Sequence, residues 1–428
     1  MSKVIARVAL TVVVLVVGAG CEWLRPGPDG GPGLIVTVGP PQANGSRVLE
    51  VRAPTLPNGG PADVKVWIDH TDRPPVITAD SLPLRTTIDA GSLSKWQHLA
   101  YASADVGADE PLVGLGAFDN GLRLNQVQAL GTHNSYHVAP TGPPWNTINE
   151  WQYTHDPLPV QFESQGVRQI ELDVYVDPNG HRVVHVPDVD FGTTCPTFVA
   201  CLQQVKQWSD ANPRHLPIAI LTELNDTDYG LPTPILPWTT AAMDQLDAEI
   251  RSVFPPEQVL TPDDVRGIWS TLAEAIQRDG WPKIDDVRGQ VLFLMDNGGS
   301  YRDSYTAGRP TLQGRMIFTN SSIGRPDAAF IKLNNPVGDE AAIRSAVAAG
   351  YVVRTRADAD TYEARDNNTV PRDTALASGA TWVSTDFPVP GRAYGQPYFV
   401  TIPGGTPARC NPINAPAWCT PAQIESLP

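Results

Sequence analysis

Positive charge is scarce in this 428-residue sequence. The sequence has 31 lysines and arginines against 46 aspartates and glutamates, which gives a net charge of −15. No segment is rich in Lys or Arg. Because binding of a nucleic-acid backbone needs clustered cations, the sequence predicts no nucleic-acid partner. The surplus of carboxylates suits divalent cations instead.

Other absences narrow the class of protein further. No repeat of fixed period runs along the chain, which argues against a solenoid. Charged residues make up 18% and hydrophobic residues 41% of the sequence, a composition that excludes a fully disordered chain and a coiled coil. Only five cysteines are present and no CxxC pair occurs, which argues against a structural metal bound by cysteine.

The first 21 residues are typical of an export signal. Lys3 and Arg7 precede an apolar run over residues 8–20, which is too short to span a bilayer comfortably. Small residues lead directly into Cys21, as in a bacterial lipobox, although lipoboxes usually carry Leu where Gly18 stands. We predict a signal peptide over residues 1–21 and a Gly/Pro-rich tether over 22–33. The protein is then anchored by lipid at the outer face of a bacterial membrane, or secreted if cleavage near Cys21 is ordinary.

The remaining four cysteines form two close pairs in sequence. An exported protein folds in an oxidising compartment, where such pairs form disulfides. Proximity alone favours the pairings Cys195–Cys201 and Cys410–Cys419 among the three that four cysteines allow.

The region over residues 34–120 has the pattern of short β-strands separated by turns. Alternating apolar residues predict strands at 34–38, 48–51 and 64–68, with an Asn-Gly-Gly turn at 58–60. Residues 76–120 show no clear pattern. We expect a small antiparallel β-rich extension, and the sequence leaves open whether it is a separate domain.

From residue 124 onward, short apolar runs that end in polar residues alternate with helical patterns. This alternation predicts an α/β fold, an irregular (β/α)₈ barrel of the TIM type over residues 121–395, followed by a tail over 396–428 that carries a cysteine pair. A further run at 316–319 is a ninth strand or an excursion. The eight predicted barrel strands are 127–130, 167–173, 182–185, 217–221, 291–296, 330–334, 352–356 and 382–386.

Polar side chains cluster where the first predicted strands end. Because the carboxyl ends of barrel strands converge on one mouth, these residues are expected to meet. They are His133, Asn134, Glu171, Asp173, His185 and Glu223. Three carboxylates in one mouth repel one another unless a cation lies among them, and oxygen ligands select Ca²⁺, or less readily Mg²⁺, over zinc.

Two histidines beside such a cation suit the cleavage of a phosphodiester. The cation neutralises the phosphate, one imidazole donates to the phosphate oxygens and the other protonates the leaving oxygen. His137 follows the same strand as His133, but no HExxH motif is present, and we expect His137 to cap or pack locally.

At these positions the sequence resembles a known family, the bacterial calcium-dependent phosphatidylinositol-specific phospholipases C. The resemblance is dense over residues 124–226 and extends to about residue 390. Its first segment, LGTHNSYH at residues 130–137, precedes GVRQIELDV at 166–174 and LTEL at 221–224. The remaining segments are YTHDPL at 153–158, HVP at 185–187, DFG at 190–192, CP at 195–196 and WSD at 208–210.

The resemblance implies a role for each of the six residues. His133 stabilises the phosphoryl group, and His185 is the general acid for the diacylglycerol leaving group. Glu171 binds the metal and acts as general base on the inositol 2-hydroxyl, so that the reaction passes through a cyclic inositol phosphate. The implied calcium ligands are Asn134, Glu171, Asp173 and Glu223. The expected protein is therefore a phosphoric diester hydrolase or lyase that acts on a phospholipid at a membrane surface.

Substrate-binding residues are sought at the ends of the later strands. Lys332, Arg354 and Arg356 can hold inositol hydroxyls or phosphate, or form ion pairs with carboxylates at 358, 360 and 363. Asp386 can orient a catalytic histidine or cap a loop. Three tryptophans can form an apolar rim or pack in the core. They are Trp145, Trp151 and Trp238.

Alternative functions stay open from the sequence. A glycerophosphodiester phosphodiesterase shares the barrel, the metal and the two histidines, but its usual His-Arg-Gly and Glu-Asn-Thr segments are missing here. A surface lipoprotein that binds a ligand without turnover would use the β-rich extension. A glycoside hydrolase uses paired carboxylates, but two histidines in the same mouth argue against it.

Overall fold

The computed structural model describes residues 21–23, 33–41, 46–56, 58–69, 71–89, 97–119, 121–416, 419–421 and 424–425. The predicted signal peptide, apart from Cys21, lies outside the described residues, as do residues 24–32 of the predicted tether. Within the described ranges, no helix is both long and apolar enough to cross a membrane.

The chain divides into two compact units. The N-terminal unit comprises Met1–Gly121 and Pro416–Trp418, and the barrel unit comprises Leu122–Ala415 and Cys419–Pro428.

The described part of the N-terminal unit is built of antiparallel strands. One sheet has the order β1-β8-β7-β4-β5 and the other the order β2-β3-β6. The strands are β1 (Cys21–Trp23), β2 (Ile35–Pro41), β3 (Arg47–Arg52), β4 (Gly60–Ile68), β5 (Ile77–Leu82), β6 (Leu84–Ile88), β7 (Gln97–Asp105) and β8 (Leu112–Asp119).

Small residues explain why residues 76–120 showed no clear strand pattern. On β7 the buried positions are His98, Ala100, Ala102 and Ala104, which give a weak alternation of hydrophobicity. On β8, a Cβ at Gly114 would lie 2.4 Å from the carbonyl oxygen of Leu34. The close approach of the backbone therefore requires glycine there, at a position where a typical strand carries an apolar side chain.

Eight parallel strands of the barrel unit form a nearly closed barrel, as the sequence predicts. Their order is β14-β13-β12-β10-β9-β17-β16-β15, and a bridge between Asn320 and Phe330 links the two ends of this series. The strands are β9 (Val127–Thr132), β10 (Val167–Tyr175), β12 (Ile218–Asn225), β13 (Val291–Met295), β14 (Ile317–Thr319), β15 (Phe330–Lys332), β16 (Val352–Arg356) and β17 (Trp382–Thr385).

One predicted barrel strand was wrong. The run at residues 182–185 gives only β11 (Arg182–Val183), which pairs antiparallel with the end of β10 through Val183 and Val174. The run is buried because it pairs with the C-terminal end of β10. It does not take a place among the parallel strands of the barrel. The place in the barrel belongs to β14, where a ninth run was noted. Beyond the barrel, β18 (Ala408–Cys410) pairs antiparallel with β9.

Helices lie between the strands, as the predicted alternation of strands and helices requires. Threonine side chains cap the two longest, since Thr197 accepts a hydrogen bond from the amide of Ala200 and Thr239 one from Ala242. The helices are α1 (Leu158–Ser164), α2 (Phe198–Ala211), α3 (Thr240–Val253), α4 (Pro262–Arg266), α5 (Leu272–Arg278), α6 (Gly299–Tyr305), α7 (Glu340–Ala348), α8 (Tyr362–Asp366) and α9 (Val370–Ser378).

Both predicted disulfides are present in the barrel unit. Cys195 is bonded to Cys201 and Cys410 to Cys419. The first joins the loop after β11 to the first turns of α2, and this loop carries part of the site described next.

Candidate active site

Three predicted carboxylates lie together at the mouth of the barrel. Glu171 and Asp173 are two residues apart on β10 and point to the same side, since side chains alternate along a strand. Glu223 on β12 stands in register with Asp173 on the neighbouring strand. The two β10 carboxylates are almost fully buried, at 2% exposure each.

A fourth carboxylate completes this cluster. Asp296 follows β13 directly, is buried, and its ligand oxygen lies within 4.8 Å of those of Glu171 and Glu223. The sequence analysis placed Asp296 at a strand end but did not assign it to the site. The signal that would have found it is the one used for the others, a carboxylate at the C-terminal end of a barrel strand.

Burial and mutual repulsion disturb the ionisation of the cluster. Burial, followed by the charges of Glu223 and Glu171, raises the pKa of Asp173 well above its usual value. Burial and the charges of Asp296 and Glu171 raise the pKa of Glu223 to about 7. The carboxylates are therefore costly to hold ionised together, and a dication among them would remove that cost.

Unsatisfied oxygens also indicate that the cluster suits a cation. Among the buried side-chain oxygens without a hydrogen-bond partner in the described part of the chain, three belong to the mouth: Oδ1 of Asn134, Oδ1 of Asp173 and Oδ1 of Asp296. Buried polar atoms are normally paired. All three are hard oxygen donors of the kind that Ca²⁺ and Mg²⁺ prefer, so the donor set fits a divalent cation.

Asn134 enters the mouth on an unusual backbone conformation. It follows β9 with a φ of 41°, in the left-handed region that asparagine tolerates better than most residues. Its Nδ2 donates to the hydroxyl of Tyr153 at 3.0 Å. This bond fixes the amide so that Oδ1 is the atom left without a partner.

The predicted substrate-binding cations lie beside these carboxylates. Lys332 forms an ion pair with Asp296, and Arg354 forms one with Glu171. Arg356 donates through Nε to the carbonyl of Asp358 at 2.9 Å. The three cations thus reach the predicted mouth. Their ion-pair partners are Asp296, Glu171 and Asp386, and not the carboxylates at 358, 360 and 363 that the sequence suggested.

His133 is oriented by a buried carboxylate. Its Nδ1 lies 2.8 Å from Oδ1 of Asp386, which directly follows β17. Asp386 in turn lies 3.5 Å from Nη2 of Arg356. Burial first, and then the charge of Arg356, lower the pKa of His133 well below its usual value. Asp386 therefore orients this histidine, which is the first of the two roles considered for it.

His185 lies in the loop after β11 and reaches the mouth from outside the parallel sheet. Its Nδ1 lies 2.7 Å from Oδ2 of Asp190, and its backbone carbonyl accepts from Oη of Tyr175 at 2.9 Å. The imidazole is 26% exposed. Since Nδ1 is engaged, Nε2 is the nitrogen left to exchange a proton.

Asp190 also binds a second histidine, His137, for which capping or local packing is predicted from the sequence. His137 is fully buried, and its Nε2 lies 2.9 Å from the same Oδ2 atom that binds His185. Two hydrogen bonds from histidines keep the pKa of Asp190 below its usual value, against the opposing effect of burial. A local packing role is therefore an incomplete description of His137. In the sequence, the only indication of this contact is the carboxylate of the DFG segment at 190–192.

The three tryptophans named from the sequence separate in the structure. Trp151 meets the ring of His185 edge-on, with centroids 5.9 Å apart, and lies 6.1 Å from Trp145. Trp238 is buried and packs edge-on against His181, so it belongs to the core. Of the three, Trp151 contacts His185 and Trp145 contacts Trp151.

The chain is similar in sequence to one known protein family. The model of one protein family matches residues 122–182 and 179–412, and that family is described as phosphoinositide phospholipase C, Ca²⁺-dependent. No curated protein matches the chain.

Solved structures of bacterial enzymes are also similar. The calcium-dependent phosphoinositol-specific phospholipase C of a Gram-negative bacterium, Pseudomonas sp., in an apo crystal form is 19% identical, covering 67% of this chain and 95% of its own, with a TM-score of 0.47. A calcium-dependent phosphatidylinositol-specific phospholipase C from Streptomyces antibioticus is 18% identical, covering 62% of this chain and 95% of its own, with a TM-score of 0.44.

Proposed function

The chain belongs to the Ca²⁺-dependent phosphoinositide phospholipase C family, and we propose that it is an active enzyme that cleaves a phosphoinositide-type phosphodiester. The observation that carries this proposal is the pair of imidazole–carboxylate contacts beside one cluster of buried carboxylates. Neither a glycerophosphodiester phosphodiesterase nor a non-catalytic lipoprotein is favoured by the family match.

The proposed calcium ligands are those named from the sequence, with Asp296 added. Asn134, Asp173 and Asp296 each offer a buried oxygen without a hydrogen-bond partner among the described residues. Glu171 and Glu223 lie within ligand distance of Asp296. When bound, calcium would neutralise the phosphate and lower the pKa of the attacking hydroxyl.

The proton transfers are assigned to this chain's own residues. Glu171 takes the proton of the inositol 2-hydroxyl as that oxygen bonds to phosphorus, and His133 donates to the phosphoryl oxygens. The bond from phosphorus to the glycerol oxygen breaks, and His185 gives its Nε2 proton to that oxygen. The products are diacylglycerol and a cyclic inositol phosphate.

Lys332 is the cation we propose for the first contact with the headgroup. Its side chain is 23% exposed, whereas that of Arg356 is 13% exposed and that of Arg354 is fully buried. The two arginines hold Glu171 and Asp386 in place and complete the positive side of the mouth. Lys332 can move from Asp296 to a substrate oxygen with little loss of burial.

Export and lipid attachment at Cys21 belong to the same proposal. Two disulfides in the barrel unit suit an oxidising compartment. An anchored enzyme would meet its lipid substrate at a surface. If mass spectrometry of the mature protein found an unmodified Cys21, or if Cys21→Ser left the protein equally membrane-bound, the anchor would be ruled out.

The activity is tested on vesicles that contain phosphatidylinositol, with calcium and with excess chelator. We expect calcium-dependent release of a cyclic inositol phosphate. Vesicles of phosphatidylcholine and a glycerophosphodiester serve as comparison substrates. The proposal fails if the wild-type protein binds no calcium, or if it releases product from the comparison substrates alone.

A further inference from the structure

A chain of hydrogen bonds runs behind His185. His185 Nδ1 lies 2.7 Å from Asp190, and the same carboxylate lies 2.9 Å from Nε2 of His137. The other ring nitrogen of His137, Nδ1, lies 3.0 Å from the carbonyl oxygen of Tyr153. His137 and Asp190 are both fully buried, so water does not compete for these bonds.

The acceptors in this chain fix where hydrogens must lie. An ionised carboxylate only accepts, and the pKa of Asp190 is held below its usual value. Nε2 of His137 and Nδ1 of His185 therefore both donate to Asp190. The ring of His137 is held from both sides, by this carboxylate at Nε2 and by the carbonyl of Tyr153 at Nδ1.

We propose that His137 is a positioning residue for the reaction: it holds Asp190, which in turn fixes the ring of His185 with Nε2 toward the leaving oxygen. The proposal rests on the proposed function for the role of His185. A carboxylate held by a second donor cannot rotate to follow His185, so the imidazole has one orientation.

The same arrangement is present at the other catalytic histidine, in different residues. Asp386 binds His133 at 2.8 Å, and the guanidinium of Arg356 lies 3.5 Å from its second oxygen. At each histidine a buried carboxylate thus has a second, buried or nearly buried partner. His137 takes the place near His185 that Arg356 has near His133.

The backbone supports the position of Asp190 against His137. The amide of Val138 donates to the carbonyl of Gly192 at 3.0 Å, and His137 forms an isolated antiparallel bridge with Thr193. A Cβ at Gly192 would lie 2.1 Å from the carbonyl oxygen of Val138. Only glycine therefore lets the loop with Asp190 approach the segment with His137 this closely.

The test is a double-mutant cycle on the full chain with calcium present. His137→Gln keeps a neutral hydrogen-bond donor but cannot make both contacts of the ring, to Asp190 and to the carbonyl of Tyr153. We expect kcat on phosphatidylinositol to fall roughly 10- to 100-fold, as small displacements of a catalytic group can cause, with KM nearly unchanged. On an inositol phosphate ester of p-nitrophenol, which needs no protonation to leave, the loss should be much smaller. In a His185→Ala background, His137→Gln should cost nothing further.

The matched control is His215→Gln. His215 is also buried with both ring nitrogens engaged, to Ser209 at 2.7 Å and to the carbonyl of Leu216 at 2.7 Å, and it precedes β12 at the end of the strand away from the mouth. It should lower thermal stability and leave kcat unchanged. An equal loss on both substrates, or an undiminished loss in the His185→Ala background, would refute the positioning role.

A spectroscopic measurement decides the point even if a variant does not fold. In the wild-type protein with ¹⁵N-labelled histidine, Nε2 of His137 and Nδ1 of His185 should each show a hydrogen-bonded proton. A bare Nε2 on His137 would overturn the inference. If wild type shows these resonances but cleaves no phosphodiester, the proposed function fails while the geometry stands.

Discussion

At the scale of the residue, the role of His185 is the most sharply testable. Because Asp190 engages Nδ1, the proton for the leaving group is on Nε2. His185→Ala should lower turnover of phosphatidylinositol by roughly 10²–10⁴-fold, the usual contribution of a general acid. The loss should shrink on an activated leaving group, and calcium affinity should be nearly unchanged. Wild-type turnover of the natural lipid by this variant would contradict the assignment.

Asp296 gives the second prediction at this scale. It has a buried oxygen without a hydrogen-bond partner among the described residues. One of its carboxylate oxygens lies within 4.8 Å of a carboxylate oxygen of Glu171 and of Glu223. Asp296→Asn removes a charge from this cluster, so calcium affinity should fall and excess calcium should restore part of the rate. Calorimetric titration measures the affinity. Asp303→Asn, on the exposed face of α6, is the matched control and should bind calcium as wild type does.

The residues of the site were predictable to the extent that each sits at a strand end. Glu171, Asp173 and Glu223 are brought together because parallel strands end on one side. His137 was not predictable in its role, because its partner Asp190 lies 53 residues away on a loop. The pairing of Asp386 with His133 spans 253 residues and depends on the closure of the barrel, so sequence left two roles open for it.

At the scale of the element, the barrel was predictable because its strands are buried on both faces. All five residues of β13 are buried and apolar, which gives the kind of continuous apolar run that was recognised. The run at 182–185 also contains consecutive buried valines, but it pairs with the C-terminal end of β10 as an antiparallel hairpin. Hydrophobicity alone does not state which partner buries a strand, so β11 and β14 exchanged places in the prediction.

The loop after β11 provides a prediction about an element. The Cys195–Cys201 disulfide closes the end of the loop that carries His185 and Asp190. Replacing both cysteines by serine should lower stability by about 2 kcal/mol from loop entropy, and should lower kcat because the Asp190 loop is less well held. Chemical denaturation and steady-state kinetics measure the two effects.

Replacement of Cys410 and Cys419 by serine is the control for this experiment. That disulfide lies beside β18, which pairs with the buried β9 away from the loop. It should lower stability and leave kcat unchanged. Equal losses of kcat in the two double variants would mean that the first disulfide has no particular effect on the site.

At the scale of the whole molecule, the excess of acidic charge is partly concentrated at one mouth. Four carboxylates held close together destabilise a protein whose net charge is already −15, and a bound dication would offset this destabilisation. Calcium should therefore act as a stabilising ligand as well as a catalytic one. Its effect grows with the ratio of free calcium to the dissociation constant.

The pH dependence of that stabilisation follows from Glu223. Its pKa is raised to about 7 by burial and by Asp296 and Glu171, from 4.5. Because the folded protein binds this proton more tightly than the unfolded chain does, the stabilising contribution is fully present at pH values below the unfolded-state pKa of 4.5. It is lost as the pH rises through the folded-state pKa of about 7. With chelator present, Tm should therefore fall between about pH 5 and pH 8, and calcium should raise Tm more at the higher pH.

Glu223→Gln isolates this effect from the other buried acids. Burial and Asp386 also raise the pKa of Asp358 to about 7, but Asp358 accepts from Tyr398 and Thr385 behind His133 and should not respond to calcium. In Glu223→Gln, the fall of Tm with pH under chelator should become shallower, and the extra gain from calcium at pH 8 should shrink. A change of about 1 kcal/mol moves Tm by roughly 1–2 °C in a chain of this size, which scanning calorimetry resolves. If calcium raised Tm equally at pH 5 and pH 8, and equally in wild type and Glu223→Gln, the carboxylate cluster would not be the place where it binds.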